Sequence, residues 1–360
     1  MKNKNLTLVI TDNRLMADTF AKAIGANTQH EGYYAGNGYA VTWTNGNIIE
    51  ETYKPTEAFV MSTNMDCRLF YAHNFSFAMR NIDHLVGYEK SKADAKQLDT
   101  IRQLWKMSHT VVNAMHPSFE GELQFLNLYY WLKMPVPVRR AWLPILTKRA
   151  IVNAVEKGRK DTAEYEEWLS QSLYNYFLLA EELRKADEQE VANDLQEMVE
   201  CEVSLAEVEV DDDIQMVVVH AGETPLYNSL SLILDAEKSL GWADAKTAKV
   251  AMRLYTKKLI SYPMVLQNTV PNSVCQRMKR NIRILRYNPK WGKLIPEKFK
   301  PSKRHNFTGC ESVFNGYGIV TTGIHPIGLS KDEWKLYNLI VKRVIDAFMP
   351  AKAEKSEETS

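Results

Sequence analysis

The chain has 360 residues, of which 45% are hydrophobic and 25% charged, and a formal net charge of +1, which is typical of an ordinary globular protein long enough for two domains. No apolar run approaches the roughly 20 residues of a membrane-spanning helix, and the basic start is followed by a run too short for a secretory signal, so we expect a cytoplasmic protein with no membrane partner. The four cysteines lie far apart, which argues against a zinc knuckle and against a disulfide framework.

Predicted strands and helices alternate in the first part of the chain. Apolar or alternating runs predict strands at 6–10, 39–43 and 110–114. Apolar residues at helical spacing predict a helix from a cap at Asp12 or Asn13 to Gly25, and further helices at 94–107 and 119–132. Because strands that alternate with helices form mostly parallel sheets, we expect an α/β domain over residues 1–155.

The second part of the chain is predicted to be mainly helical. Helices are expected at 165–183, 226–255 and 331–348, with a lone strand at 216–219. Two stretches of opposite charge lie between them: the acidic segment, residues 181–213, and the loop-rich basic segment, residues 276–304. We therefore expect a helical and acidic connecting segment over 156–220, a helical domain with a basic loop over 221–350, and a disordered tail over 351–360.

The basic segment has the composition of a groove that binds single-stranded DNA. It carries eleven basic residues against one acidic residue, and aromatic rings are interleaved with the cations. Cations of this kind bind phosphates, and the rings stack on unpaired bases. The candidate DNA-binding residues are Arg277, Lys279, Arg280, Arg283, Tyr287, Trp291 and Lys293. The alternative is a solvated basic loop that docks on the acidic segment.

Several short motifs occur along most of the chain in an order known from one enzyme family. They are Leu-Val-Ile-Thr-Asp at 8–12 with Ala-Lys-Ala-Ile-Gly at 21–25, Thr-Trp-Thr-Asn-Gly-Asn at 42–47, Glu-Gly-Glu-Leu at 120–123, the stretch 140–151, Arg-Leu-Tyr at 253–255 and Leu-Ile-Ser-Tyr-Pro at 259–263. Together they resemble the type IA DNA topoisomerases of the topoisomerase III kind. The resemblance implies a Toprim-like α/β domain and a mainly helical domain that carries the reactive tyrosine.

The resemblance also implies a chemistry for particular residues. Tyr262 matches the tyrosine whose oxygen attacks a DNA phosphodiester and stores the bond as a phosphotyrosine ester. Asp12 and Glu120 match carboxylates of the active site, where one assists proton transfer and the acidic Toprim residues hold Mg²⁺. The family-matched catalytic candidates are therefore Tyr262, Glu120 and Asp12.

Other positions depart from the family pattern. His116 and Ser118 stand where the family has its two metal-binding aspartates, and Phe119 stands where the arginine that follows them is expected. Asp12 and Asn13 replace the first-strand glutamate and its lysine. Met264 replaces the arginine after the tyrosine, and Thr321 replaces a later histidine. Since Mg²⁺ prefers oxygen ligands, we expect no bound metal and no cofactor. Glu120 and Glu122 are the residual candidate ligands, and Mg²⁺ would be needed only if activity survives. The arch of the family is also expected to be incomplete.

Each of these sites has an ordinary structural interpretation as well. Glu120 and Glu122 would lie in the first turn of a helix, where carboxylates are favourable. Tyr262 could be an aromatic core residue before a proline. The amphipathic 165–183 helix could belong to the core or could bind a protein partner.

The leading hypothesis is a topoisomerase-like protein that binds single-stranded DNA, with catalytic strand passage lost or strongly impaired. One alternative is an active type IA topoisomerase or nicking enzyme that forms a phosphotyrosine at Tyr262. The other is a protein-binding adaptor built on a topoisomerase-derived fold.

Overall fold

A computed structural model describes residues 6–53, 67–80, 88–159, 162–185, 224–295, 314 and 316–348. The chain divides into two compact units, Met1–Leu195 and Gln196–Ser360. The strand predicted at 216–219, the tail predicted at 351–360, most of the acidic segment and the part of the basic segment after Ile295 lie outside the described residues. No described helix combines the length and the apolar character that crossing a membrane would require.

The first unit contains eight described strands and six described helices. The strands are β1 (Thr7–Thr11), β2 (Thr28–His30), β3 (Tyr33–Gly36), β4 (Tyr39–Trp43), β5 (Ile49–Tyr53), β6 (Phe75–Met79), β7 (Thr110–Asn113) and β8 (Val138–Arg140). The helices are α1 (Arg14–Ile24), α2 (Cys67–Asn74), α3 (Tyr88–Met107), α4 (Phe119–Leu132), α5 (Lys148–Lys157) and α6 (Thr162–Lys185).

Six of these strands form one mixed sheet in the order β2-β3-β4-β1-β7-β8. Strand β1 is parallel to β4 and β7, and β7 is parallel to β8, whereas β2 and β3 pair antiparallel. All residues of β1 are buried, as is usual for a strand covered on both faces. The predicted α/β architecture with a mostly parallel sheet is therefore confirmed.

Helix α1 begins and ends where local capping chemistry predicts. Asn13, rather than Asp12, is the N-cap, and its side-chain oxygen accepts a hydrogen bond from the backbone N–H of Met16 at 2.9 Å. Gly25 ends the helix with a φ of 82°, a left-handed conformation that favours glycine.

Helices α3 and α4 cover the central sheet with a shared apolar core. Trp105 of α3 is fully buried, stacks on Phe125 of α4 and donates its indole N–H to the carbonyl oxygen of Met134 at 3.0 Å. Leu104 and Leu128 extend the same core. Each square ångström of apolar surface removed from water contributes about 25 cal/mol, so this shared core stabilises the packing of both helices on the sheet.

Helix α6 belongs to the first unit, although residues 156–220 were predicted to connect two domains. Its apolar face is buried within that unit, where Tyr165 packs on Trp142 and Phe177 packs edge-on against Phe70. Leu178 and Leu179 of the same helix are exposed. A protein partner on the 165–183 helix stays a prediction.

The second unit is mainly helical, as predicted. Its described helices are α7 (Ser229–Leu240), α8 (Asp244–Thr256), α9 (Asn272–Leu285), α10 (Pro289–Gly292) and α11 (Lys331–Phe348). Two isolated β-bridges, Tyr227 to Ile319 and Ile260 to Thr321, hold the irregular segments against one another.

The loop predicted for the basic segment is wrong over its first ten residues, which belong to helix α9. Val274, Met278, Ile282 and Leu285 recur every three or four residues and are buried, so the segment has an apolar stripe that stabilises a helix. The high density of charge between these residues hid the periodicity.

Candidate functional site

The carboxyl ends of β1 and β7 bring Asp12 and His116 together. The two strands are parallel neighbours, with Ile10 opposite Asn113, and the backbone N–H of Ala114 bonds to the carbonyl oxygen of Ile10 at 2.8 Å. Residues that follow the two strands therefore lie at one edge of the sheet. There, Nδ1 of His116 lies 3.4 Å from Oδ2 of Asp12.

The first turn of α4 adds Glu120 to this edge. Ser118 is the N-cap of the helix, and its hydroxyl accepts a hydrogen bond from the backbone N–H of Gly121 at 3.3 Å. One residue before that glycine, Oε2 of Glu120 lies 3.6 Å from Nε2 of His116. We call Asp12, His116 and Glu120 the His116 cluster. Its two distances are those of ion pairs rather than of short hydrogen bonds.

Gly121 allows the close approach on which the His116 cluster depends. A Cβ atom at this position would lie 2.2 Å from the carbonyl oxygen of His116, far inside van der Waals contact. Only glycine therefore lets the first turn of α4 pack directly on the loop that precedes it.

The charges of the cluster reinforce one another. Burial lowers the pKa of His116, but the side chains of Asp12 and Glu120 outweigh it and raise that pKa to about 9. The imidazole in turn holds the pKa of Glu120 below its usual range. The imidazole is only 7% exposed, whereas the side chain of Glu120 is 73% exposed, so the buried interaction with Asp12 is the less screened of the two.

This arrangement predicts a pH dependence of stability. The pKa of His116 is about 6.5 in the unfolded chain and is raised to about 9 in the folded chain, so the folded chain binds this proton more tightly. The contribution of His116 to the free energy of unfolding is therefore full below pH 6.5 and is lost as the pH rises through about 9. We expect the wild type to lose on the order of 2 kcal/mol of unfolding free energy between pH 6.5 and 9.5 relative to His116→Asn. Urea unfolding at several pH values measures it.

Among the described residues, the groups that face His116 include the carboxylates of Asp12 and Glu120 and the guanidinium of Arg140, which donates to the carbonyl oxygen of His116. If the wild type and His116→Asn showed parallel stability profiles across this pH range, the imidazole would carry no such linkage.

Glu122, in contrast, lies in a buried network and does not face the cluster. One carboxylate oxygen pairs with Nε of Arg140, and the other accepts hydrogen bonds from Asn113 Nδ2 at 3.1 Å and from the hydroxyl of Tyr165 at 2.7 Å. Burial, followed by the neighbouring carboxylate of Glu122, raises the pKa of the Tyr165 hydroxyl. Both oxygens of Glu122 are thus engaged inside the protein, and the carboxylate is not available as a metal ligand.

Arg140, at the end of β8, holds the loop between β7 and α4. Besides pairing with Glu122, its guanidinium donates hydrogen bonds to four backbone carbonyl oxygens, at distances of 2.9 to 3.2 Å, those of Asn113, Met115, His116 and Ala141. It also lies 4.9 Å from the ring centroid of Trp142. This one side chain therefore fixes the loop that presents His116.

The residues at this edge do not fit the Mg²⁺ that the sequence resemblance implies. Within the described part of the chain, no group of three or more His, Cys, Asp and Glu side chains could hold a metal ion. Asp12 Oδ1 is buried without a hydrogen-bond partner among the described residues, but it supplies one oxygen where Mg²⁺ takes an octahedral set. Both ring nitrogens of His116 face carboxylates rather than an open position.

From the sequence alone, His116 is predicted to stand where a metal-binding aspartate is lost, and Arg140 has no predicted role. The signal that could have found the cluster is the pairing of two buried strands that each end in a polar residue, because parallel neighbours bring such residues to one edge. The pairing itself is not local, so no short stretch of sequence contains it.

In the second unit, Tyr262 lies in the core. Its side chain is among the buried ones, at 5% exposure, and its ring packs edge-on against Tyr255 at 5.5 Å. The preceding Ser261 is fixed by hydrogen bonds in both directions with the backbone of Val320, at 2.9 and 3.0 Å. Met264, at the position where the resemblance expects an arginine, carries no charge.

Helix α9 presents the predicted cations on its solvent side. Arg277, Arg280 and Arg283 are exposed, and Lys279 is half-buried. Neither Arg280 nor Arg283 forms an ion pair with any carboxylate in the described ranges. After the helix, Tyr287 is 89% exposed and is followed by exposed Lys290 and Lys293. Between Asn272 and Ile295 the chain has seven basic residues and no acidic residue.

Trp291 is a correction to the predicted DNA-binding set. Its side chain is 1% exposed, packs between Trp334 and Tyr337, and donates its indole N–H to Asn338 at 3.1 Å. A ring held in this way cannot stack on a base, so Trp291 is a core residue of the second unit.

Comparison with known proteins gives consistent matches. The sequence model of a family described as DNA topoisomerase matches residues 167–360. DNA topoisomerase 3 of Staphylococcus aureus (strain NCTC 8325 / PS 47) is 22% identical over 413 residues, which cover 96% of this chain and 55% of the relative. DNA topoisomerase 1 of Alkalihalophilus pseudofirmus is 30% identical over 135 residues, which cover 37% of this chain and 19% of the relative.

Among solved structures, full-length topoisomerase I from Thermotoga maritima is similar, with a TM-score of 0.51 and 16% identity, over 95% of this chain and 61% of that chain. At this identity the likeness establishes the fold. The chain spans about half the length of the topoisomerase 3 relatives that it matches.

Proposed function

This chain belongs to the DNA topoisomerase family, and we propose that it binds single-stranded DNA through helix α9 and Tyr287 while DNA cleavage by Tyr262 is lost or strongly impaired. The observation that carries the proposal is the exposed basic surface formed by α9 and the residues that follow it, since there is no acidic residue between Asn272 and Ile295. A surface with this charge attracts a polyanion.

The arrangement of side chains on α9 favours a single strand over a duplex. Gln276, Arg280 and Arg283 are spaced by four and three residues, so they lie along one line of the helix surface, opposite the buried stripe. Tyr287 follows directly after the helix with its ring almost fully exposed. Guanidinium groups would bind successive phosphates, and the ring would stack on a base that is unpaired.

Impaired cleavage is supported by the surroundings of the family-matched residues. Tyr262 is buried, and Met264 cannot neutralise charge on a pentavalent phosphate. In the first unit, Asp12 and Glu120 face His116, which holds their charge within the cluster. Loss of a single contact that stabilises a transition state typically costs about 10²-fold to 10³-fold in rate.

The binding proposal is tested by fluorescence anisotropy with a labelled oligodeoxythymidine and with a duplex of mixed sequence. We expect tighter binding of the single strand and an affinity that falls steeply as the KCl concentration rises, because bound phosphates release counterions. Equal affinity for both DNA forms would contradict the single-strand preference, and binding without salt dependence would contradict the proposed surface.

The same mixtures of protein and DNA test whether Tyr262 cleaves DNA. After incubation with Mg²⁺, denaturation and electrophoresis, we expect no covalent protein–DNA adduct from the wild type or from Tyr262→Phe. An adduct formed by the wild type and absent from Tyr262→Phe would overturn this part of the proposal and support a nicking enzyme.

A further inference from the structure

We propose that the imidazole of His116 occupies the space between the carboxylates of Asp12 and Glu120, and that this edge of the sheet consequently takes no divalent metal ion. Asp12, His116 and Glu120 all lie in the first unit, so this role of His116 is independent of DNA binding by α9. The side chains present here do not fit the Mg²⁺ that the family implies.

The imidazole of His116 faces both carboxylates of the pair. Nδ1 lies 3.4 Å from Asp12 and Nε2 lies 3.6 Å from Glu120, so each ring nitrogen faces one of the two carboxylates. A Mg²⁺ ion shared by both carboxylates would need their oxygens at about 2.0–2.1 Å from a common point. The ring of His116 lies between them, and it is almost fully buried.

Neighbouring oxygen donors are already engaged. Glu122 is paired with Arg140 and accepts two further hydrogen bonds. The hydroxyl of Ser118 caps helix α4. Recruiting Glu122 to a metal would leave the guanidinium of Arg140 buried without its counter-charge, which is strongly unfavourable.

The local charge also disfavours a divalent ion. The guanidinium of Arg140 donates to the carbonyl oxygen of His116 at 3.0 Å, so a cation already lies close to the cluster. Arg140 and Glu122 already neutralise each other, and of the two carboxylates that face His116 only Asp12 is largely buried. A divalent ion would therefore bring more positive charge than the buried carboxylate balances.

Manganese titration of the full chain, followed by electron paramagnetic resonance, tests the proposal, with thermal unfolding in EDTA and in MgCl₂ as a second readout. For the wild type we expect no Mn²⁺ bound at this edge and the same melting temperature in both solutions. His116→Asp should melt several degrees lower in EDTA, because three carboxylates then meet, and should regain stability and bind Mn²⁺ when metal is added.

His116→Asn is the matched control, since it removes the imidazole and adds no carboxylate; it should lose stability without gaining metal binding. If His116→Asp does not fold in EDTA, the titration of the wild type still tests the proposal. Mn²⁺ binding by the wild type that is absent from Glu120→Gln would overturn it. Failure of His116→Asp to bind Mn²⁺ when folded would overturn it as well.

Discussion

Replacing Arg140 with methionine should destabilise the first unit by about 3–5 kcal/mol, because the carboxylate of Glu122 is then left buried without a counter-charge. The loss has a second source, since the substitution also removes the donors to the backbone carbonyl oxygens of the loop between β7 and α4. Urea unfolding followed by circular dichroism and tryptophan fluorescence measures the change.

Arg139, the preceding residue, provides a matched control. Its side chain is exposed and donates a hydrogen bond to the carbonyl oxygen of Glu156 at 2.8 Å, so Arg139→Met should cost less than about 1 kcal/mol. Adding Glu122→Gln to Arg140→Met should recover part of the loss, because the uncompensated charge is removed. Equal effects of Arg139→Met and Arg140→Met would show that the buried pair is not what stabilises this loop.

Local signals in the sequence predicted several elements to the residue. The strand Tyr39–Trp43 and the helices Phe119–Leu132 and Lys331–Phe348 have the predicted bounds, because apolar spacing, capping residues and turn residues all act within a few positions. The same information is present for α9, but the apolar stripe of Val274, Met278, Ile282 and Leu285 is interrupted by cations, so the charge masks the periodicity.

The candidate site was less predictable, because its contacts join residues that are distant in sequence. Asp12 meets His116 only because β1 and β7 are neighbours in the sheet, and Arg140 reaches Glu122 only because β8 lies beside β7. For Trp291, the aromatic partners come from helix α11. Strand order and helix packing determine these contacts, and composition alone does not reveal them.

The largest expected effect on DNA binding comes from replacing both Arg280 and Arg283 with glutamine. Each exposed guanidinium that binds a phosphate contributes about 0.7 to the slope of log affinity against log salt for a single strand, so the slope should fall by about 1.4. We expect an affinity about 10-fold to 100-fold lower at low salt. Both side chains are exposed, so circular dichroism should show an unchanged helix content.

Two further variants separate the charge of this surface from its aromatic ring. The double variant Lys335→Gln, Lys342→Gln removes the same charge from exposed positions of α11 and should leave the affinity for DNA nearly unchanged. This control distinguishes the position of the charges on the surface from the net charge of the protein. Tyr287→Ala should weaken binding by about 1–3 kcal/mol while leaving the salt slope intact, because stacking releases no counterions. If both lysine changes weakened binding as much as the arginine changes, α9 would not be the binding surface, and the family fold would engage DNA elsewhere.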